Sequence, residues 1–493
     1  MTERPHLAVI GAGPAGLAAS LAAAARGVRV TLIDAAPDAG GQFYRQPATG
    51  LGARRPQALH HQWRTWERLR DGLAAQADIR HLTEHHVWCV ERKSSGSDRP
   101  DAFTVHALLG PLQEEPATVH ADAVLLATGG YERVLPFPGW TLPGVVTAGG
   151  AQAMLKAGLV VPGRVAVVAG TGPLLLPVAT GLAAAGVRVE ALVESADPKA
   201  VVRHTRALAA KLPEAARYAA RLLRHRVRFL PRNAVVEAHG DERVESVTVA
   251  ALDADGRVRP GTGRRIPCDT LAIGHGMLPH TDLAETLGCR LDGVRVHADE
   301  EQRTDVPGVW AAGESTGIGG AALSLAEGHI AGRSIAARLA GRTPDPRGWA
   351  TAAKSRTKLG EFAAALDTVY APPAHWTEQV TDDTVVCRCE EVTAGAIREA
   401  VGGLGAADVR TVKLLTRAGM GWCQGRMCGP AVAGLASCEL TPARRPFARP
   451  VPLGVLAQEA QEAQEAEATD AAEAARETRK AQDHAHPTEK ELS

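Results

Sequence analysis

Twice in this chain a short β-branched run ends in a Gly-x-Gly turn, passes into an Ala/Leu-rich stretch and returns through glycine to a second β-branched run. The two stretches are LAVIGAGPAGLAASLAAAARGVRVTLID, starting at Leu7, and VAVVAGTGPLLLPVATGLAAAGVRVEALVE, starting at Val165. Strand, tight turn, helix and strand in that order open a nucleotide-binding unit built on a parallel sheet. Each stretch contains an uncharged span, Leu7 to Ala25 and Val165 to Val187, long enough to cross a bilayer as one helix. The turns at Gly11 to Gly13 and Gly170 to Gly172 break both, so no transmembrane segment is expected.

The echo sets the domain map. At roughly 100–200 residues per domain, 493 residues make about three. The expected class is α/β, with two doubly wound dinucleotide-binding (Rossmann-like) domains, the second inserted in the first, plus a small helical domain that carries four clustered cysteines. The expected bounds are 1–160 with 268–345 for the split first domain and 161–267 for the insert. A Pro-containing linker follows over 346–380, a Cys-bearing domain over 381–440, and a tail over 441–493. Val201 to Arg232 reads as helical and solvated, Ser246 to Ala251 and Thr270 to Ile273 as strands. Beyond Gln458 the Ala/Glu/Gln-rich sequence has no apolar face to bury and reads as solvated helix or disorder. With 55 basic and 55 acidic side chains, no net field draws the chain to nucleic acid or to an anionic bilayer. Eight cysteines are too few for a disulfide scaffold, and no leader pattern opens the sequence. The chain therefore reads as cytoplasmic, where a tight cysteine cluster is a metal or redox site.

In the first turn, Gly11-Ala12-Gly13-Pro14-Ala15-Gly16, each glycine has a task. Gly11 permits the tight turn, Gly13 lets a pyrophosphate approach the backbone, and Gly16 lets helix and strand pack closely. The helix start offers free N–H groups to phosphate, and Asp34, ending the next strand, can accept from ribose hydroxyls. The second unit departs from this pattern. Leu175 stands where the third glycine should be, and the acid, Glu194, comes one residue later than the spacing of Gly11 to Asp34 requires. A one-residue shift in a strand turns a side chain to the other face. An NAD(P) site over 170–194 therefore reads as degraded, either vestigial or adapted to another nucleotide such as ATP.

Two further motifs accompany the first turn: Ala127-Thr128-Gly129-Gly130, and TDVPGVWAAGE from Thr304 to Glu314 followed by Gly317 to Gly320. With these the sequence resembles the two-dinucleotide-binding-domain flavoproteins related to the pyridine nucleotide-disulfide oxidoreductases. The resemblance implies FAD, held by the first turn, by Ala127, Thr128 and Gly129, and by the late motif. There Gly313 precedes Glu314, which replaces the family's usual Asp toward the ribityl chain, and Gly319 and Gly320 face the flavin's pyrimidine end. The cysteine pair of the family's disulfide reductases is missing. Cys89, Cys268 and Cys289 stand isolated, which excludes dithiol chemistry at the flavin.

Cys387-Arg388-Cys389 is followed, after 33 residues, by Cys423 and Cys428. Four thiolates at C-x-C and C-x4-C suit tetrahedral zinc or a [2Fe–2S] cluster. Thr393 is placed to cap one helix and Pro430 to begin another. Cys438 lies outside the spacing, and Lys413 and Arg417 are nearby cations. The segment from about Val385 to Leu435 is similar to the bacterioferritin-associated-ferredoxin-like [2Fe–2S] domain, which favours the cluster.

The whole order of parts, including Gly40-Gly41-Gln42-Phe43-Tyr44-Arg45-Gln46, resembles the FAD-containing alpha chains of heteromeric amine dehydrogenases over residues 5 to 440. That resemblance adds Gly41, Gln42 and Arg45 to the FAD site. It implies an amino-acid-oxidase-like flavoprotein partner that oxidises a small amine of opine, glycine, proline or hydroxyproline type, and, as a further partner, a small ferredoxin-like subunit. Electrons would enter here from the partner and leave singly, and any membrane association would come through partners. No catalytic residue announces itself. The alternatives are a self-contained NAD(P)H-dependent reductase feeding its own cluster, and a non-enzymatic zinc and nucleotide scaffold.

Overall fold

The computed structural model describes residues 4–93, 102–197, 212–441 and 445–458, with 460, 461 and 464 beyond them. Each glycine turn caps a five-stranded parallel sheet. In the first sheet the order is Val309–Ala311, Ala123–Leu126, His6–Ile10, Arg29–Ile33 and Ile79–Leu82. His6–Ile10 lies in the middle and its neighbours follow it on opposite sides, so a crevice opens at its carboxyl end, where such sheets bind ligands. Leu7, Ala8 and Val9 are wholly buried, since helices and a second layer cover both faces of a parallel sheet. The second sheet runs Arg228–Pro231, Arg188–Glu194, Val165–Thr171, Thr270–His275 and Val145–Thr147. Each unit also carries a three-stranded antiparallel sheet, from His85 to Ala121 in the first and from Asn233 to Pro267 in the second. The two chain crossings between units, Gly130–Glu132 and Met277–Pro279, pair antiparallel with each other.

This topology moves the expected domain bounds. Val145–Thr147 and Thr270–His275 hydrogen-bond within the second sheet, so that sheet draws in residues on both sides of 161–267. Short connecting strands carry no periodicity that assigns them to one sheet over another.

The expected displacement of Glu194 is corrected as well. Pairing between the first two strands of the second unit slips after Ala166, with Ala166 opposite Val189 but Val167 opposite Ala191. Glu190 is thus an extra, bulged residue. Beyond it the register is restored and Glu194 stands opposite Gly170. The bulge absorbs the added residue and returns the acid to the crevice face. Leu175 is accommodated by a late helix start: the helix spans Leu175–Ala184, and Leu175 itself is buried in the core beneath.

The 346–380 segment is not a loose connection. It forms the helix Ala350–Val369, laid against the long helix Gly320–Leu339. Only Ala365 and Val369 in it are buried, too sparse a stripe to announce a helix in the sequence. The helix Leu212–Arg224 bears out part of the Arg-rich reading; 198–211 lie outside the described residues. The tail also divides. Phe447 and Val455 pack on Trp88 and Leu108, and Ala448 N–H donates to the Trp88 carbonyl at 2.9 Å. Residues 445–456 are therefore a strap over the first unit, and the Ala/Glu/Gln repeat falls almost wholly outside the described residues. Among the described residues no helix is long and apolar enough to cross a membrane.

Candidate functional site

The first turn, Asp34, the Gly40–Gln46 loop, the Ala127–Gly129 bend and the late motif meet at the carboxyl ends of the first sheet. Ala127 N–H donates to the Ile10 carbonyl at 2.9 Å, and the Ala127 oxygen lies only 2.2 Å from where a Cβ on Gly11 would stand. Gly11 has φ +108°, so its lack of a side chain is required twice over. A Cβ on Gly16 would fall 1.8 Å from the Gly11 oxygen, which forces the close helix approach. Gly40 N–H donates to the Ala12 carbonyl at 2.8 Å, and Gly41 lies across Gly13. Within the same loop Arg45 donates to the Gln42 side-chain oxygen at 2.7 Å. Gly313 abuts Ala15, and Pro14 opens the helix Pro14–Ala24 behind Gly13.

The glycines at the carboxyl ends of the first sheet leave room for a bound dinucleotide. Nothing lies within 4 Å of a Cβ built on Gly13, Gly129 or Gly320, so their open sides face space that a ligand can use. Asp34 does more than await a ribose: its carboxylate accepts from Ala12 N–H at 2.5 Å and Ala36 N–H at 2.7 Å, pinning the turn. Burial raises its pKa above the usual carboxylate value, against those two bonds. Glu194 repeats the device in the second unit, accepting from Gly172 N–H at 3.1 Å and Ala196 N–H at 3.0 Å. Thr171 and His275 are paired across neighbouring strands and buried there; burial holds the His275 imidazole down to about 4.

The sequence reading missed Glu327. From the helix Gly320–Leu339 it accepts from Gly313 N–H at 2.8 Å and from the Thr316 hydroxyl at 3.1 Å, while Glu314 is engaged by Gly320 N–H. The late motif thus holds two carboxyl groups, and Glu314 is tied to its own loop. Burial pushes Glu327 up to about 7 from an ordinary 4.5. The folded chain then binds this proton more tightly than the unfolded chain does, so stability falls as pH rises between those values. Glu327→Gln should remove that share, roughly 3 kcal/mol, and the apoprotein's thermal midpoint should fall less between pH 5 and 8 than in wild type. Equal losses in the two proteins would show that Glu327 does not titrate in this range.

The cysteine segment folds around its own core. A small hairpin, Val385–Cys387 with Val392–Thr393, leads into the helix Ala394–Gly402, which Thr393 caps at 3.3 Å. Pro430 sits in the first turn of Gly429–Leu435. All eight cysteines are free thiols; Cys387 and Cys428 are buried, Cys423 half-buried and Cys389 exposed. The Cys423 thiol hydrogen-bonds with Cys428 and Cys389, and Cys428 with Cys387. The Cys428 bond, followed by Met427 and Gly425 N–H groups, brings Cys423 down to about 5 against burial, while that bond and burial push Cys428 up. Gly419 N–H points at Cys387 Sγ at 3.5 Å. As they stand the thiols face one another in pairs, and among the described residues no group of three or more His, Cys, Asp or Glu side chains is arranged to hold a metal ion. The contacts run in a chain, Cys389 to Cys423 to Cys428 to Cys387, and four thiols so linked, with backbone N–H groups favouring a thiolate, are chemically the donor set of a thiolate-ligated cluster. Arg417 is engaged by Glu390 at 2.8 Å. Trp140 of the second unit donates to the Val385 carbonyl at 2.6 Å and lies under Arg388.

Fold and site together define a flavoprotein with two Rossmann-like units and an appended four-cysteine segment. The chain belongs to the pyridine nucleotide-disulphide oxidoreductase family, matched over residues 5–337, and carries a BFD-like [2Fe-2S] binding domain matched over 385–436. These matches imply FAD and a [2Fe–2S] cluster and make the protein an FAD-dependent oxidoreductase. It is 35% identical over 450 residues to the HcnB subunit of hydrogen cyanide synthase from Pseudomonas aeruginosa, covering 87% of this chain and 91% of that one. It is 35% identical over 481 residues to an opine oxidase subunit of Rhizobium meliloti, covering 91% and 97%. The crystal structure of L-proline dehydrogenase from P. horikoshii shares the fold, with TM-score 0.63 and 21% identity over 92% of this chain and 81% of that one.

Proposed function

We propose that this chain is the electron-transfer subunit of a heteromeric amino- or imino-acid dehydrogenase. In this reading an amino-acid-oxidase-like flavoprotein partner oxidises an amine of opine, glycine, proline or hydroxyproline type. Electrons pass to this chain and leave it singly, toward a small ferredoxin-like subunit or another one-electron carrier. FAD supplies two-electron acceptance with one-electron release, and the cluster supplies one-electron transfer. The residues' own tasks are to bind and orient. Gly11, Gly13, Gly16, Asp34, Gly41, Gln42, Arg45, Ala127, Thr128, Gly129, Gly313, Glu314, Gly319 and Gly320 would hold the dinucleotide, with Pro14 and Ala15 shaping the helix start. Cys387, Cys389, Cys423 and Cys428 would hold the cluster.

The observation that carries this reading is the joining of a flavin crevice and a four-thiol segment in one chain, together with the subunit status of the similar proteins. The test is purification from the native host under anaerobic conditions. The chain should arrive with a second flavoprotein subunit, and candidate amines should bleach the flavin only when that subunit is present. The reductase alternative keeps one observation in its favour, the restored Glu194. NADH bleaching the flavin within one turnover of the isolated chain would establish that alternative instead.

A further inference from the structure

Between the flavin crevice and the cysteine loop lies a buried ion cluster that neither site uses for binding. Asp282, 8% exposed, opens the short helix Asp282–Thr286 just after the crossing strand Met277–Pro279. Its Oδ2 accepts from the guanidinium of Arg426, which stands between Cys423 and Cys428. Its Oδ1 accepts from Arg445 Nη2 of the tail strap at 3.1 Å, and His280 Nε2 lies 3.2 Å from Oδ2. His280 in turn touches the flavin bend: its N–H donates to the Gly129 carbonyl at 2.9 Å, and its carbonyl accepts from the Thr128 hydroxyl at 2.6 Å. Arg426 closes the other end, donating its backbone N–H to the Cys423 carbonyl at 3.1 Å and its side chain to the Ala448 carbonyl.

We propose that Asp282 is a positioning residue that locks the cysteine loop to the flavin bend, through Arg426 on one side and His280 on the other, and so sets the rate of electron passage between the two centres. The inference rests on the electron-transfer reading above. A buried carboxylate shared by two guanidinium groups is directional, because releasing either partner leaves an uncompensated charge inside the protein. Burial alone would raise the Asp282 pKa, but His280 and the two arginines outweigh it and hold the carboxyl at about 2. The lock is therefore ionised across the physiological range. The fastening at Trp140 ties the cysteine segment to the second unit, whereas Asp282 spans from the loop to the flavin bend itself. With both groups bound, flavin reduced by two electrons would lose one electron, any proton it releases passing to solvent, and the oxidised cluster would gain that electron. No heavy-atom bond forms or breaks, and the second electron follows once a one-electron carrier has taken the first.

The test uses the holoprotein, with flavin and iron content measured first. Bound flavin is photoreduced by a laser flash, and growth of the reduced cluster's spectrum is timed in wild type, Asp282→Asn, Asp282→Glu and Arg445→Gln. Asp282→Asn should slow transfer several-fold, more than Arg445→Gln does, since electron transfer weakens exponentially as the two centres move apart. Asp282→Glu should recover most of the rate, and Arg445→Gln should lose a few-fold. Wild-type rates in Asp282→Asn and Arg445→Gln at full cofactor content would overturn the lock. Should Asp282→Asn fail to fold, the Arg445→Gln rate decides in the same way. A wild type with no flavin-to-cluster transfer would overturn the electron-transfer reading itself, and the lock with it.

Discussion

Gly13→Val is expected to yield a folded protein that no longer holds FAD. Gly13 has φ −74° and ψ −175°, extended backbone that valine adopts readily, and nothing lies within 4 Å of its Cβ position. The first added carbon therefore meets nothing in the chain. The added methyl groups project into the space that the pyrophosphate needs to reach the N–H groups at the start of Pro14–Ala24. Losing two charge-assisted hydrogen bonds at about 1.5–3 kcal/mol each predicts at least a roughly 100-fold weaker affinity. Gly16→Ala makes the contrast. Its Cβ would collide with the Gly11 oxygen at 1.8 Å, so the fold should suffer before any ligand is involved. Flavin absorbance and thermal denaturation of the apoproteins separate the two cases. Full flavin content in Gly13→Val would remove the first turn from the binding site.

Cys423→Ser should lose the cluster and keep the flavin. Cys423 contacts both Cys389 and Cys428, so it links an exposed thiol to the buried pair. Serine offers a hydroxyl that does not ionise at neutral pH and is a harder donor than iron–sulfur chemistry prefers. Iron should drop from about two atoms per chain to near none, while FAD content stays level because the residues proposed to hold the flavin lie between Gly11 and Gly320. Cys438→Ser is the control, since Cys438 packs at the edge of the segment's core outside the ligand spacing, and it should keep both cofactors. Iron at wild-type level in Cys423→Ser would refute its place among the ligands.

How much was legible depended on how local each feature is. The first turn could be read directly because Gly11, Gly13, Gly16 and Asp34 act through backbone geometry within a single strand, turn, helix and strand. The cysteine segment was legible for a similar reason: Thr393 and Pro430 mark helix starts, and the spacing marks the thiols. The second unit misled. Counting placed Glu194 on the wrong face, because a bulge at Glu190 leaves no trace in composition or periodicity. The helix Ala350–Val369 was hidden by its sparse buried face, and the strap at 445–456 by prolines that read as tail.

By itself, then, the sequence determined the class of fold and the two kinds of cofactor chemistry, since these follow from short-range steric and hydrogen-bonding rules. Tertiary structure alone decided which sheet Val145–Thr147 joins, which way Glu194 faces, that Glu327 stands behind Gly313, and that Asp282 gathers Arg426 and Arg445. Those two arginines lie 144 and 163 positions away from Asp282 in the chain. A buried charge finds its partner through the packing of whole elements, and no local pattern encodes that meeting.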